Sequence, residues 1–253
     1  MAKQNIYDNQ AFFENFKQIR DNKINYNECI ETPILFAMLP ELQGKTILDI
    51  GCGMGHHAKQ YSDMGAKSVL GIDISEKMLD YARTHNSAAN ITYQQMAFED
   101  LRRLNQQFDI ITSSLVFDYA ENFEELIKNI CQIMKDDSHF IFSMSHPMST
   151  AYDGQYPRYT CDDSGKRLYA NINNYFVEGK RTITWCVDNY ELYHRTLSSI
   201  LNAMIKAGFL IEECQESHAS DELREQYPDI FGGTLHRPDF IFFKCKKSPL
   251  CTV

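Results

Sequence analysis

Apolar residues along this chain change period several times. The runs at 45–50, 68–73, 91–96, 108–114 and 139–144 are short, almost continuous and rich in β-branched and aromatic residues. That is the pattern of strands buried on both faces. Between them apolar positions recur every three or four residues. The clearest stripe, Phe123, Leu126, Ile127, Ile130 and Ile133, predicts an amphipathic helix. Strand and helix in alternation predict βαβ units and a parallel sheet. Ahead of the first strand, Glu31 to Leu42 reads as a helix broken or started at Pro33 and Pro40. Late in the chain, Leu197, Ile200, Leu201, Met204 and Ile205 share one helical face that stops at Gly208. Runs 209–214 and 239–245 follow without a helix between them, predicting an antiparallel pair at the sheet edge. The expected fold is α/β, doubly wound, with seven mostly parallel strands.

One stretch breaks the alternation. From Ser145 to Tyr190 there is no helical stripe but many aromatics, including Tyr152, Tyr156, Tyr159, Tyr169, Tyr175, Phe176, Trp185 and Tyr190. Residues 175–185 read as two short strands around a Glu178–Gly179 turn. So long an excursion in one domain is commonly a functional loop. It leaves the C-terminal end of the fifth strand, the edge at which open α/β sheets bind ligands. It is therefore read as a cap over the substrate.

The chemistry concentrates at the first two strands. Thr46 to Ile50 runs into Gly51-Cys52-Gly53-Met54-Gly55, and Val69 to Asp73 closes on an acid. Glycines admit close backbone approach, and a helix beginning after them offers free N–H groups. A carboxylate ending the second strand suits the two hydroxyls of a ribose. A dinucleotide fingerprint would place its third glycine at position 56, where His56 stands. Asp49 would also repel a pyrophosphate, whereas it suits a cationic amino-acid group.

The D-x-G-x-G-x-G run from Asp49 to Gly55, with Gly71-Ile72-Asp73-Ile74-Ser75, resembles motif I and its partner strand in the class I S-adenosylmethionine-dependent methyltransferases. Stretches 73–79, 142–147, 193–196 and 237–240 extend the likeness to nearly the whole chain, toward the bacterial small-molecule methyltransferases. The resemblance implies a Rossmann-like sheet and S-adenosyl-L-methionine as cofactor, with S-adenosyl-L-homocysteine as product. It implies one domain over 1–253, with a helical segment 1–43, a cofactor core 44–144, the cap 145–190 and a C-terminal helix and edge strands 191–253. Gly51, Gly53 and Gly55 would line the methionine and ribose portion, with Asp49 nearby and Asp73 on the ribose. Ile74 and Met78 would flank the adenine, Ala97 and Phe98 its edge, and Ser113 or Ser114 would lie under the methionine. Many relatives carry an Asp near Ala97; here the nearest acids are Glu99 and Asp100.

Candidate substrate residues follow from position. His146, just after the fifth strand, is the candidate base, or else fixes the Pro147 turn. Tyr193, His194 and Arg195, expected to open the helix after the cap, either bind an anionic substrate group or tie cap to core. Asp118 and Tyr119 touch the substrate pocket or cap the next helix. Tyr7 and Tyr26 close the site from the N-terminal segment, and His56 and His57 face cofactor or solvent. A net charge of −9 argues against a general nucleic-acid binder, so the partner expected is a small-molecule acceptor. None of the eight cysteines forms a C-x-x-C pair, so no metal site is indicated. The opening Met1–Asn5 carries no apolar leader and no window approaches a membrane span, so a cytoplasmic protein is expected. Oligomeric state is open, a dimer included. Two other readings stand beside this one. One is a cofactor-binding protein without catalysis; the other is a nicotinamide-dependent oxidoreductase, which lacks its third glycine and a Tyr-x-x-x-Lys.

Overall fold

The structure, a computed structural model, describes residues 5–185 and 187–248. Met1–Gln4, Cys186, Cys251 and the side chain of Trp185, all used in the sequence reading, lie outside that description.

An N-terminal helix α1 (Gln10–Asp21), a π-type turn (Asn27–Glu31) and a short helix α2 (Thr32–Ala37) precede the sheet. Pro33 sits in the first turn of α2, where its missing N–H costs nothing. The core then alternates: β1 (Thr46–Ile50), α3 (His56–Asp63), β2 (Ser68–Asp73), α4 (Glu76–His85), β3 (Ile91–Gln95), β4 (Phe108–Ser114), α5 (Phe123–Gln132) and β5 (Met134–Ser145). The cap contributes α6 (Pro147–Thr150) and two hairpins, β6 (Tyr159–Cys161) with β7 (Arg167–Ala170), and β8 (Gly179–Trp185) with β9 (Val187–His194). The chain closes with α7 (Leu197–Lys206), β10 (Phe209–Glu216), α8 (Asp221–Gln226), α9 (Pro228–Phe231) and β11 (Phe240–Lys247).

The seven-stranded sheet has the order β10-β11-β5-β4-β1-β2-β3, parallel except for β11, which runs antiparallel to both neighbours. Period-two side chains give it two faces. Leu48, Ile50, Leu70, Ile72, Phe140 and Phe142 pack beneath α5 and α7, with Ile127, Ile130 and Met204. Ile47, Val69, Ile110, Ile141 and Phe242 pack against α2 and α3, with Leu35, Ala58 and Tyr61. Burial on both faces is why these strands read as continuous apolar runs.

Three details differ from the sequence reading. β5 starts at Met134 rather than 139, because Lys135-Asp136-Asp137-Ser138 is too polar to register as strand. Glu178–Gly179 is not the hairpin turn. Gly179 (φ +118) opens β8, and the Glu178 carboxylate accepts from Thr196 N (2.7 Å), Thr196 Oγ1 (2.6 Å) and Ser199 Oγ (2.6 Å), anchoring the cap to the start of α7. β9 accordingly runs on to His194, so Tyr193 and His194 are strand residues, and Thr196 is the residue that caps α7.

Candidate functional site

Strand β1 turns into α3 through three glycines at positive φ: Gly51 (+70), Gly53 (+52) and Gly55 (+79). The Gly51 N–H donates to the Ile72 carbonyl (2.8 Å), fixing the loop to β2. The Gly53 N–H donates to Asp73 Oδ2 (2.9 Å), and Ser75 N–H to Asp73 Oδ1 (2.8 Å). A Cβ at Gly51 would lie 2.2 Å from Val116 Cγ2, and one at Gly55 2.4 Å from the Tyr93 hydroxyl. At Gly53 no described atom comes within 4 Å of such a Cβ. Gly51 and Gly55 thus serve packing, and Gly53 presents bare backbone to open space.

That space is a cavity of about 830 Å³, large among ligand sites. Of the expected cofactor residues, Asp49, Gly51, Gly53, Asp73, Ile74, Met78, Ala97, Phe98 and Ser114 line it. Gly55 and Ser113 do not. Gly55 packs under Tyr93, and Ser113 turns into the sheet to donate to the Ile50 carbonyl (2.9 Å). Leu115, which follows β4 at φ +55, also lines the cavity, a strained backbone at a ligand edge.

The glycine-loop end is acidic. Asp49 is 2 % exposed; its Oδ1 accepts from Thr112 Oγ1 (3.2 Å), while Oδ2 has no partner among the described residues. Burial pushes its carboxyl up to about 7, against the Thr112 bond, with Asp73 and Glu31 adding repulsion. Burial likewise pushes Asp73 up to about 6, though the Ser75 and Gly53 N–H groups hold it down. Glu31, fully buried, accepts from Ser114 Oγ (2.8 Å) and Ser143 Oγ (2.6 Å), and its carboxyl is also raised by burial. An unpartnered buried carboxylate oxygen beside exposed loop backbone is a fitting seat for a cationic amino-acid group.

Asp118, Tyr119, Tyr7 and Tyr26 line the cavity, whereas His146, Tyr193, His194 and Arg195 take other places. His146 does not line the cavity. Its Nδ1 accepts from Met148 N (3.0 Å), capping α6, so Nε2 carries the proton and donates to Glu216 Oε1 (2.9 Å). Both ring nitrogens are engaged, and burial lowers the imidazole's affinity for a second proton, ahead of the opposing pull of Glu216. In this arrangement His146 caps the Pro147 turn, with both ring nitrogens engaged away from the cavity. Replacing it with alanine is expected to lose ~1 kcal/mol of stability, the usual cost of a lost N-cap. Urea unfolding would register that loss, with S-adenosylhomocysteine affinity unchanged by calorimetry; a weakened affinity would restore His146 to the site.

His194 is fully buried and bridges the cap, donating from Nε2 to the Tyr175 carbonyl (2.7 Å) and accepting at Nδ1 from Thr150 Oγ1 (2.7 Å). Arg195 donates to the carbonyls of Ala120, Glu121 (3.3 Å) and Tyr193 (3.3 Å), and its guanidinium lies over Phe123 and Tyr193. Tyr193, His194 and Arg195 therefore tie cap to core and none reaches the cavity.

Aromatic side chains close the cavity instead. Tyr119 shares hydroxyl hydrogen bonds with Tyr7 (2.7 Å) and Tyr190, linking the N-terminal segment, the loop after β4 and the cap, and all three line the cavity. Asp118 accepts from Ser145 N at Oδ2 (3.1 Å), leaving Oδ1 buried without a partner among the described residues. Tyr26, His56 and His57 line the same space. His57 is held neutral, its ring pushed down to about 3 by burial, and its Nε2 lies 3.2 Å from Thr32 Oγ1. Arg20, Arg158, Arg167 and Arg237 complete the lining. Isolated arginines carry no sequence signal, and only the Arg237-Pro238-Asp239 stretch marked any of them.

Among the described residues no helix is long and apolar enough to cross a membrane, and no three His, Cys, Asp or Glu side chains gather to hold a metal ion. Residues 48–142 match a methyltransferase domain. An uncharacterized protein of Haemophilus influenzae is 36% identical over 249 residues, which cover 96% of each chain. An S-adenosylmethionine-dependent methyltransferase structure from Mesorhizobium loti superposes with a TM-score of 0.76 at 35% identity, covering 85% of this chain and 96% of that one. A candidate S-adenosylmethionine-dependent methyltransferase from Listeria monocytogenes gives 0.75 at 32% identity, covering 86% and 98%. With its glycine loop, paired acids and sheet order, the chain belongs to the S-adenosylmethionine-dependent methyltransferases.

Proposed function

We propose that the methyl acceptor is a small molecule, enclosed between the glycine loop and the cap, that takes the methyl group by in-line displacement. The observation that carries this reading is the single cavity shared by the N-terminal segment, the glycine loop and the cap, closed by the Tyr7–Tyr119–Tyr190 contacts.

S-adenosylmethionine supplies a methyl already activated on a sulfonium. The protein's part is to hold and exclude. Asp49 offers its free oxygen to the ammonium of the amino-acid portion, Asp73 its carboxylate to the ribose hydroxyls, and Ile74, Met78, Ala97 and Phe98 apolar surface to the adenine. Alignment of two bound reactants can supply roughly 7–11 kcal/mol of the barrier. His146 and His194 are committed to structure, and burial raises the Tyr119 hydroxyl well above its ordinary range. None of these three groups is placed to take a proton from the acceptor, and the surrounding aromatics keep water away.

The test is formation of S-adenosylhomocysteine from S-adenosylmethionine against a panel of small phenols, thiols, amines and carboxylic acids. Turnover on at least one, with none on a peptide or RNA panel, is the expected result. The reverse would overturn the small-molecule reading.

The acidic pocket also predicts proton release. Asp49 and Asp73 titrate near 7 and 6 in the folded protein, against about 4 in an unfolded chain. Between those values the folded state holds extra protons, so these groups' contribution to stability falls as pH rises from about 4 to 7 and is flat above. A cationic ligand favours the charged carboxylates. Binding of S-adenosylmethionine at pH 6.5 should therefore release protons, seen as a buffer-dependent heat in calorimetry. Asp49→Asn should remove most of that dependence. Buffer-independent heats in the unmodified protein would contradict the assignment.

A further inference from the structure

One part of the cavity lining is basic. Arg158, Arg167 and Arg237 all line it, and they surround one carboxylate, Asp239, whose charge all three influence. Arg237 Nη2 pairs with Asp239 Oδ1 at 3.0 Å. The Arg237 side chain is only 5 % exposed, yet its Nη1 has no partner among the described residues. Asp239 Oδ2 is also buried without one. The guanidinium groups are held on aromatic faces, Arg167 4.8 Å and Arg237 5.5 Å from the Tyr159 ring centre and Arg158 4.3 Å from that of Tyr152. Arg167 also donates to the Asp229 carbonyl (2.9 Å), and Arg158 to that of Ser149 (3.3 Å). These are rigid supports, which reduce the ordering cost of binding.

Three cations around the part-buried Asp239, with the exposed Asp229 also on the lining, leave an excess of positive charge in a partly desolvated site. A buried guanidinium with a free N–H is costly unless an acceptor reaches it. Sheet geometry separates this part from the cofactor. β11 begins at Phe240, next to the arginines, and lies three strands from β1 and four from β2, or about 14 and 19 Å across the sheet at 4.8 Å per strand. S-adenosylmethionine seated against Asp49 and Asp73 therefore leaves the arginines to the acceptor. The same cavity is also lined by Tyr26, Tyr119, Tyr190, Leu192 and Phe240.

We propose that Arg158, Arg167 and Arg237 hold a carboxylate of the methyl acceptor, which is an aromatic or apolar acid bound with its nucleophile toward the glycine loop. The planar fork of Arg237 suits a planar carboxylate, and Asp239 Oδ2 accepts from a hydroxyl or amine beside it. This rests on the small-molecule reading above and names the acceptor's class. The cavity then has two electrostatic ends, acidic for the cationic cofactor and basic for the anionic acceptor, in a chain of net charge −9.

The test titrates the 253-residue chain, saturated with S-adenosylhomocysteine, with benzoate, phenylacetate and 3-phenylpropionate, each against its uncharged amide, and with phenyl phosphate. At least one acid should bind tenfold or more tighter than its amide. Arg237→Gln should erase that preference, and Arg167→Gln, at a less buried position, should do the same if the first variant fails to fold. Equal affinity for acid and amide, no saturation by any acid, or a preference surviving both substitutions would overturn the proposal. Phenyl phosphate binding more tightly than every acid would overturn the carboxylate in favour of a phosphate. Loss of S-adenosylhomocysteine binding in the unmodified protein would instead sink the cofactor-site reading, which keeps the two failures distinct.

Discussion

Asp73→Ala should weaken S-adenosylmethionine binding at least a hundredfold while the protein stays folded. The carboxylate sits at the C-terminal end of β2, held in place by the Gly53 and Ser75 N–H groups (2.9 and 2.8 Å). Hydrogen bonds to a charged acceptor contribute about 1.5–3 kcal/mol each. Two ribose hydroxyls at the low end of that range already exceed a hundredfold, since every 1.4 kcal/mol is a factor of ten. The substitution also frees the loop at Gly53, compounding the loss. Folding tolerates it better, because the carboxyl is buried at a cost, shown by its upward shift to about 6. Calorimetric titration beside a thermal melt separates the two effects. An unchanged affinity would remove Asp73 from the cofactor site, and a collapsed melt would make it a structural residue.

The second large effect belongs to Gly51. An alanine there must keep φ near +70, which costs roughly 1–2 kcal/mol for an L side chain. It must also place its Cβ 2.2 Å from Val116 Cγ2, an overlap that the β-branched side chain cannot rotate away from freely. Overpacking of that kind costs a further ~1–3 kcal/mol. Gly51→Ala should thus lose about 2–5 kcal/mol in urea unfolding and bind cofactor poorly. Adding Val116→Ala should recover the overpacking part and leave the backbone part, a coupling that a double-mutant cycle reads directly. Gly53→Ala is the counterpart. Its Cβ meets no described atom, so stability should fall only by the backbone cost, while cofactor affinity falls through blocked access. A Gly51→Ala protein as stable as its parent would refute this account of the loop.

Much of this molecule was legible in its sequence, for identifiable reasons. The parallel strands are buried on both faces, so Leu48, Ile50, Leu70 and Ile72 on one face and Ile47 and Val69 on the other fuse into continuous apolar runs. The glycine-loop end was legible because its demands are local: positive φ at alternate positions, and an acid at a strand end. The opposite end was legible only in part: position nominated the cap, Tyr7, Tyr26, Asp118 and Tyr119, which do line the cavity, but nothing in the separate neighbourhoods of Arg20, Arg158 and Arg167 shows that they meet there. His146 and the Tyr193–Arg195 stretch drew attention through residue type and position alone. The partners that explain them, Glu216, Thr150, the Tyr175 carbonyl and the Ala120 carbonyl, are all distant in sequence. The Glu178–Gly179 dipeptide misled for the same reason, since its carboxylate is spent on the start of α7.

The position of β11 sets the order in which this sheet can be completed. Its residues Phe242, Phe243 and Cys245 are fully buried, and its seven register pairs with β5 fill the gap between β5 and β10. During synthesis, β1 to β5 leave the ribosome first, and at 5–20 residues per second roughly 5–20 s pass before β11 follows. Throughout that interval β5, with its buried Phe140, Ile141 and Phe142, keeps an unpaired edge, the kind of edge that recruits other chains. A nascent or truncated chain ending before Phe240 should therefore depend on chaperones or aggregate. Among the described strands, the one made latest is the one that covers the β5 edge.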